Sequence, residues 1–234
     1  MKQNLHSVIF ILIFFIGQSS CKTLTTEAII ILDLTEETFT HISINEYKII
    51  SSLNDNVFNG EVVRIQPITE NGFNTVDCHK IERVASSALG NEYQRRSELK
   101  KFYSSIDSSL KLLKQGRARR SGSVIFKILS EELNHLNKSK ADKKILIINS
   151  DLMENSFIDF TNSSNIERIR NNPNEIEKIL TDKYPVADLK GVSIYILYKP
   201  VNKWDSERFE IVSDFYKKLF ESKGAIVNVS GNLN

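Results

Sequence analysis

The sequence predicts an α/β fold: a mainly parallel central sheet with helices on both faces. The first observation behind this is a pair of aliphatic runs that each lead to an aspartate. Ala28-Ile29-Ile30-Ile31-Leu32 runs into Asp33, and Ile145-Leu146-Ile147-Ile148 runs through Asn149 and Ser150 into Asp151. A short continuous apolar run bounded by turn residues reads as a strand buried on both faces, the situation of strands in a parallel sheet covered by helices. The second observation is the alternation of such runs with amphipathic helical stretches, the pattern of βα units joined by right-handed crossovers.

Each element follows from its local pattern. After the first strand, over 28–32, a loop leads to a helix near 45–53 with Tyr47, Ile50 and Leu53 on one side. Residues 60–68 alternate apolar and polar and read as a strand towards an edge of the sheet. A long amphipathic helix over 91–113 carries Leu99, Phe102, Ile106, Leu110 and Leu113 as its core stripe, with Gly116 just past its end. The next helix starts near 121–123 and buries Ile125, Ile128, Leu129, Leu133 and Leu136. The central strand, 145–148, is followed by a polar loop, a helix near 174–183 and a strand over 192–198. A last helix over 205–223, with Phe209, Val212, Tyr216, Leu219 and Phe220 inward, stops at Gly224, and a strand over 225–229 closes the sheet. Trp204 and Phe209 are expected as core anchors.

The amino terminus reads as a targeting segment. Lys2 is a positive n-region, residues 8–16 are an uninterrupted apolar stretch, and Gly17-Gln18-Ser19-Ser20 is small and polar. This is a secretory signal, too short for a membrane span. Cys21 follows at once, and the run resembles a bacterial lipoprotein signal, although Gln18 stands where an aliphatic residue is usual. The resemblance implies lipidation of Cys21 and cleavage before it, giving a signal over 1–21, a short tether over 22–27 and one α/β domain over 28–234. The location implied is the bacterial cell envelope, lipid-anchored and facing the periplasm; cleavage without lipidation would leave a soluble periplasmic or secreted protein.

Composition narrows the function classes. The part after Cys21 keeps all 29 Asp and Glu and loses only Lys2 from the 31 Lys and Arg, so its net charge is near +1 and favours neither a nucleic-acid protein nor an acidic tail. The basic stretch Arg95-Arg96, Lys100-Lys101, Lys111, Lys114, Arg117, Arg119-Arg120 reads as a solvated helix face interleaved with Glu98 and Asp107. No aromatic stacking platform accompanies it, so no nucleic-acid partner is expected. Cys78 is expected as a small buried residue, and no His/Cys cluster has zinc spacing.

In a parallel sheet the carboxyl ends of the strands collect along one edge, where open α/β sheets bind ligands. Asp33, Asp151 and nearby hydroxyls are thereby expected together, and oxygen donors of this kind suit Mg²⁺ or Mn²⁺. Taken separately, Asp33 and Asp151 also suit Asx turns and Thr35 a helix N-cap. A first strand ending in Asp33-Leu34-Thr35, a hydroxyl loop before a middle helix and a later strand ending in Ser150-Asp151 resemble the von Willebrand factor A (vWA) family, a Rossmann-like three-layer sandwich with a metal-ion-dependent adhesion site. The resemblance, spanning roughly 26–234, implies Asp33, Thr35, Ser123 and Asp151 as the metal-binding set, with Ser121 the alternative to Ser123.

Glu37 stands where the family usually has a second serine. A carboxylate there either adds negative charge beside the metal position, tightening cation binding and making the cation less electrophilic, or turns outward as a solvated helix residue. The function implied is a non-enzymatic, membrane-anchored binding module that engages a protein partner through Mg²⁺ or Mn²⁺, with the lipid anchor as its membrane contact. The alternative is a metal-dependent hydrolase of phosphoester type with Asp33 as nucleophile or ligand. Thr35 stands where such a site would want a second aspartate, and there is no Gly-rich phosphate cradle or nucleophile elbow.

Overall fold

The computed structural model describes residues 23–35, 42–69, 75–84, 91–115 and 122–233. Cys21 and the signal segment, Glu37, Gly116, Arg117, Arg119, Arg120 and Ser121 lie outside the described residues. In chain order the elements are β1 (Thr25–Asp33), α1 (Ile44–Ile50), β2 (Gly60–Ile68), β3 (Asp77–Ile81), α2 (Glu92–Gln115), α3 (Ile125–Lys138), β4 (Lys143–Asn149), α4 (Ser163–Asn171), α5 (Pro173–Lys183), β5 (Val192–Leu197), α6 (Lys203–Ser222) and β6 (Ile226–Ser230). The sheet order is β3-β2-β1-β4-β5-β6, with every neighbouring pair parallel except β2 and β3.

The two aliphatic runs become the two central strands because they can be buried on both sides. Along β1, Ile29 and Ile31 face a core shared with α3, α4, α5 and α6, while Ala28, Ile30 and Leu32 face a second core with α1 and α2. On β4, Leu146 and Ile148 join the first core, and Ile145 and Ile147 the second. Each large aliphatic side chain so buried contributes roughly 1.5–3 kcal/mol relative to exposure. The result is a sheet between two helical layers.

Several local expectations are corrected. β3 is an antiparallel edge strand that apolar patterning did not mark, because of its five residues only Ile81 is buried. The face of β3 bearing Asp77, His79 and Ile81 is tied to α2: the Ser109 hydroxyl donates to Asp77 and lies 2.9 Å from His79 Nε2. Cys78 projects to the opposite face at this edge and is exposed rather than buried. Arg95 is not part of a solvated face: its buried guanidinium donates to the carbonyls of Val57 (2.7 Å), Asn59 (2.6 Å) and Glu82 (2.9 Å).

Trp204 is 62% exposed, whereas Phe209 is buried. At 100° per residue Trp204 lies well off the inward stripe of α6. The polar loop after β4 contains a further helix, α4, whose only buried residues are Ile166 and Ile169. β1 begins at Thr25, inside the stretch read as a tether. The chain is already held there, with the Leu24 amide donating to Asn59 Oδ1 (2.8 Å) and the Thr25 amide to Asp142 Oδ2 (2.9 Å).

Candidate metal centre

The strand order reverses direction about β1: the chain first builds outward through β2 and then returns to add β4 on the other side. At such a switch point the loops leaving adjacent strands diverge and open a crevice at their carboxyl ends. Asp33 is the last residue of β1, and Asp151 follows two residues after β4.

Three loops meet here. In the first, Asp33 Oδ1 accepts from the Thr35 amide (3.0 Å) and hydroxyl (2.6 Å), closing a tight turn at the end of β1. In the third, the Ser150 hydroxyl donates to Asp33 Oδ2 (2.7 Å) and accepts from the Leu152 amide (2.9 Å), while Asp151 Oδ1 accepts from the Met153 amide (2.9 Å). Leu152 is held at φ 64°, a left-handed conformation unusual for a bulky residue and a form of strain that clusters at functional sites. The middle loop is pinned to the third by the Ser123–Asn155 bridge, with N–O distances of 3.2 and 2.9 Å. The Ser123 hydroxyl donates to Thr35 Oγ1 (2.9 Å), joining it to the first.

Thr35, Ser123 and Asp151 line one pocket of about 370 Å³, together with Met153, Tyr198 and Arg208. Asp33 is buried and linked to this lining through Thr35 and Ser150. Thus Asp33, Thr35, Ser123 and Asp151 come together at one edge, while Glu37 lies outside the described residues.

Glu154 is a site residue that sequence reasoning missed. The α3 N-cap, Val124, has no capping side chain, and Glu154 Oε2 takes its place by accepting from the amides of Ile125 (3.0 Å) and Phe126 (2.6 Å). A carboxylate is favoured at a helix amino end. Burial nevertheless dominates and pushes the Glu154 carboxyl up to about 7, with the nearby Asp33 charge adding to the rise. Burial likewise raises Asp33, against the lowering effect of its hydrogen bonds from Thr35 and Ser150. No spacing marks Glu154 in the sequence, because the helix it caps begins 29 residues upstream. Near these acids the buried Tyr216 hydroxyl has no hydrogen-bond partner among the described residues, and burial together with the Glu154 and Asp151 charges pushes it well above the ordinary tyrosine range.

The donor chemistry fits a hard divalent cation. Asp33 is a buried carboxylate whose hydrogen-bond donors are neutral hydroxyl and amide groups, so a dication would supply a counter-charge. Thr35, Ser123 and Asp151 line the same space and carry oxygen atoms, the ligand type preferred by Mg²⁺ and Mn²⁺. Among the described residues no three His, Cys, Asp or Glu side chains are grouped so as to hold an ion by themselves, so hydroxyl oxygens would have to take part.

No protein-family model matches the chain, and no curated protein matches its sequence.

Proposed function

We propose that the chain is a non-enzymatic, vWA-like binding module, anchored to a membrane through lipidated Cys21, that recognises a protein partner at a divalent-cation site. Asp33, Thr35, Ser123 and Asp151 would hold Mg²⁺ or Mn²⁺, with Glu37 either a further carboxylate ligand or a solvated neighbour. The observation that carries the reading is the shared pocket: Thr35, Ser123 and Asp151 line it, and the Asp33 carboxylate is hydrogen-bonded into the same edge. When bound, the cation would supply an electrostatic anchor for an anionic group of the partner. The chain's own residues do the rest: Ser150 and the Thr35 turn orient the Asp33 carboxylate, and the Ser123–Asn155 bridge holds the middle hydroxyl in place.

The anchor and the site suit one another. β1 starts four residues after Cys21 and is 9 residues long, so the candidate site sits about 30 Å along the strand from the anchored end. The recognition edge would then face away from the membrane.

Calorimetric titration of Mg²⁺ and Mn²⁺, paired with thermal melts, tests the proposal. Wild type should bind one ion; saturation at a hundred times Kd should add about 2.7 kcal/mol, or roughly 5–10 °C for a domain this size. Asp151→Ala should lose the heat and the melting shift. Glu37→Ser should weaken binding if Glu37 ligates and leave it unchanged if Glu37 faces solvent. Neither heat nor a melting shift in wild type at millimolar metal would overturn metal-dependent recognition.

A further inference from the structure

One wall of the pocket comes from the segment after β5, with Tyr198 and Val201, and from the first turns of α6, with Trp204, Asp205 and Arg208. Asp205 is engaged locally, its Oδ2 accepting from the Tyr198 hydroxyl and the Val201 amide, each at 2.8 Å. Arg208 is placed differently. Its Nη2 donates to the Phe160 carbonyl (2.6 Å), which fixes the guanidinium, while its Nε is buried and has no hydrogen-bond partner among the described residues. The Trp204 ring lies over the guanidinium, 4.3 Å from Cζ to the ring centroid. Trp204 and Val201 are 62% and 63% exposed, an apolar surface at the rim of a polar pocket. Tryptophan and arginine are the residue types that most often anchor protein interfaces, and here they stack on one another in the wall of the pocket.

We propose that this wall reads an acidic residue of the protein partner together with an apolar neighbour, the carboxylate lying against Arg208 and the apolar side chain covering Trp204 and Val201. The inference rests on the pocket being a partner-binding site, as proposed above, but does not need the cation. A carboxylate fits better than a phosphate: the guanidinium fork matches its planar pair of oxygens, and Asp151 and Asp205 in the same lining repel a dianion more strongly than a monoanion.

Trp204 is the chain's single tryptophan, so its emission reports on this wall alone. The probes are acetyl-Phe-Asp-amide and two controls, acetyl-Phe-Asn-amide and acetyl-Ala-Asp-amide, titrated into the full chain with Mg²⁺ and again with a chelator. The Phe-Asp peptide should change Trp204 emission saturably, and each control should bind about ten-fold more weakly, the factor expected for losing one charge-assisted contact or its apolar partner. Arg208→Lys, which keeps the charge and loses the fork, should weaken the Phe-Asp peptide similarly. The asparagine control needs no protein variant, so the test survives if Arg208→Lys fails to fold. A response that persists in chelator and still discriminates Asp from Asn supports this wall while removing the metal from recognition. Mg²⁺ heat without a Trp204 response, or equal responses to Asp and Asn peptides, overturns the inference and leaves the metal reading standing.

Discussion

Glu154 ties the pH dependence of stability to the amino end of α3. Burial raises its carboxyl from the usual 4.5 to about 7 in the folded chain, so the native state keeps a proton that the unfolded chain releases. Below about pH 4.5 the residue is protonated in both states and contributes nothing to the difference. As pH rises from there to about 7 the folded state is progressively disfavoured, and above 7 the loss is complete. A shift of this size corresponds to about 3 kcal/mol at 1.36 kcal/mol per pH unit.

The perturbation is Glu154→Gln, which removes the titration while its amide oxygen can still accept from the Ile125 and Phe126 amides. Urea unfolding free energies at pH 4, 6 and 8 should show wild type losing about 3 kcal/mol relative to the variant across that range. Asp33 and Glu61 are also raised by burial and give wild type and variant the same direction of slope. Their contributions cancel in the difference, apart from the charge coupling between Glu154 and Asp33. A difference between the two proteins that stays within about 0.5 kcal/mol at all three pH values would refute the buried, helix-capping role.

Two further outcomes are expected. Mass spectrometry of the native amino terminus should find a lipidated Cys21 as the first residue, and Cys21→Ala should release the protein or leave it uncleaved; an unmodified start elsewhere removes the anchor. In the Cys21→Ala chain, Cys78 should react with one equivalent of a thiol reagent without denaturant, because it sits exposed on an edge strand. Protection until unfolding would contradict the placement of β3.

The parts of the fold that were legible are those where burial follows the sequence directly. β1 and β4 stand out because residues on both faces must be apolar, and α2, α3 and α6 because one face must be. The gathering of Asp33, Thr35 and Asp151 at one edge follows from parallel strand direction, whereas Ser123 was implied by the vWA resemblance and is held there by its bridge to Asn155. What was not legible depends on partners distant in the chain. β3 is held by backbone pairing to β2 and by polar contacts to Ser109 rather than by an apolar face. Arg95 looks like any helix-surface arginine until the carbonyls of Val57, Asn59 and Glu82 surround it. Glu154 carries no local signal because its partners are amides at the start of α3, and Trp204 is placed outward by the phase of α6 rather than by its own hydrophobicity.

The central claim is that the three loops at the carboxyl edge gather a divalent cation. Titrating Mn²⁺ into isotopically labelled protein and following backbone amide signals tests it most directly, since the paramagnetic ion broadens only nearby resonances. The account predicts saturable broadening centred on Thr35, Ser123 and Asp151, reversed by excess Mg²⁺ and absent in Asp151→Ala. Broadening centred elsewhere, or none at millimolar Mn²⁺, would contradict it.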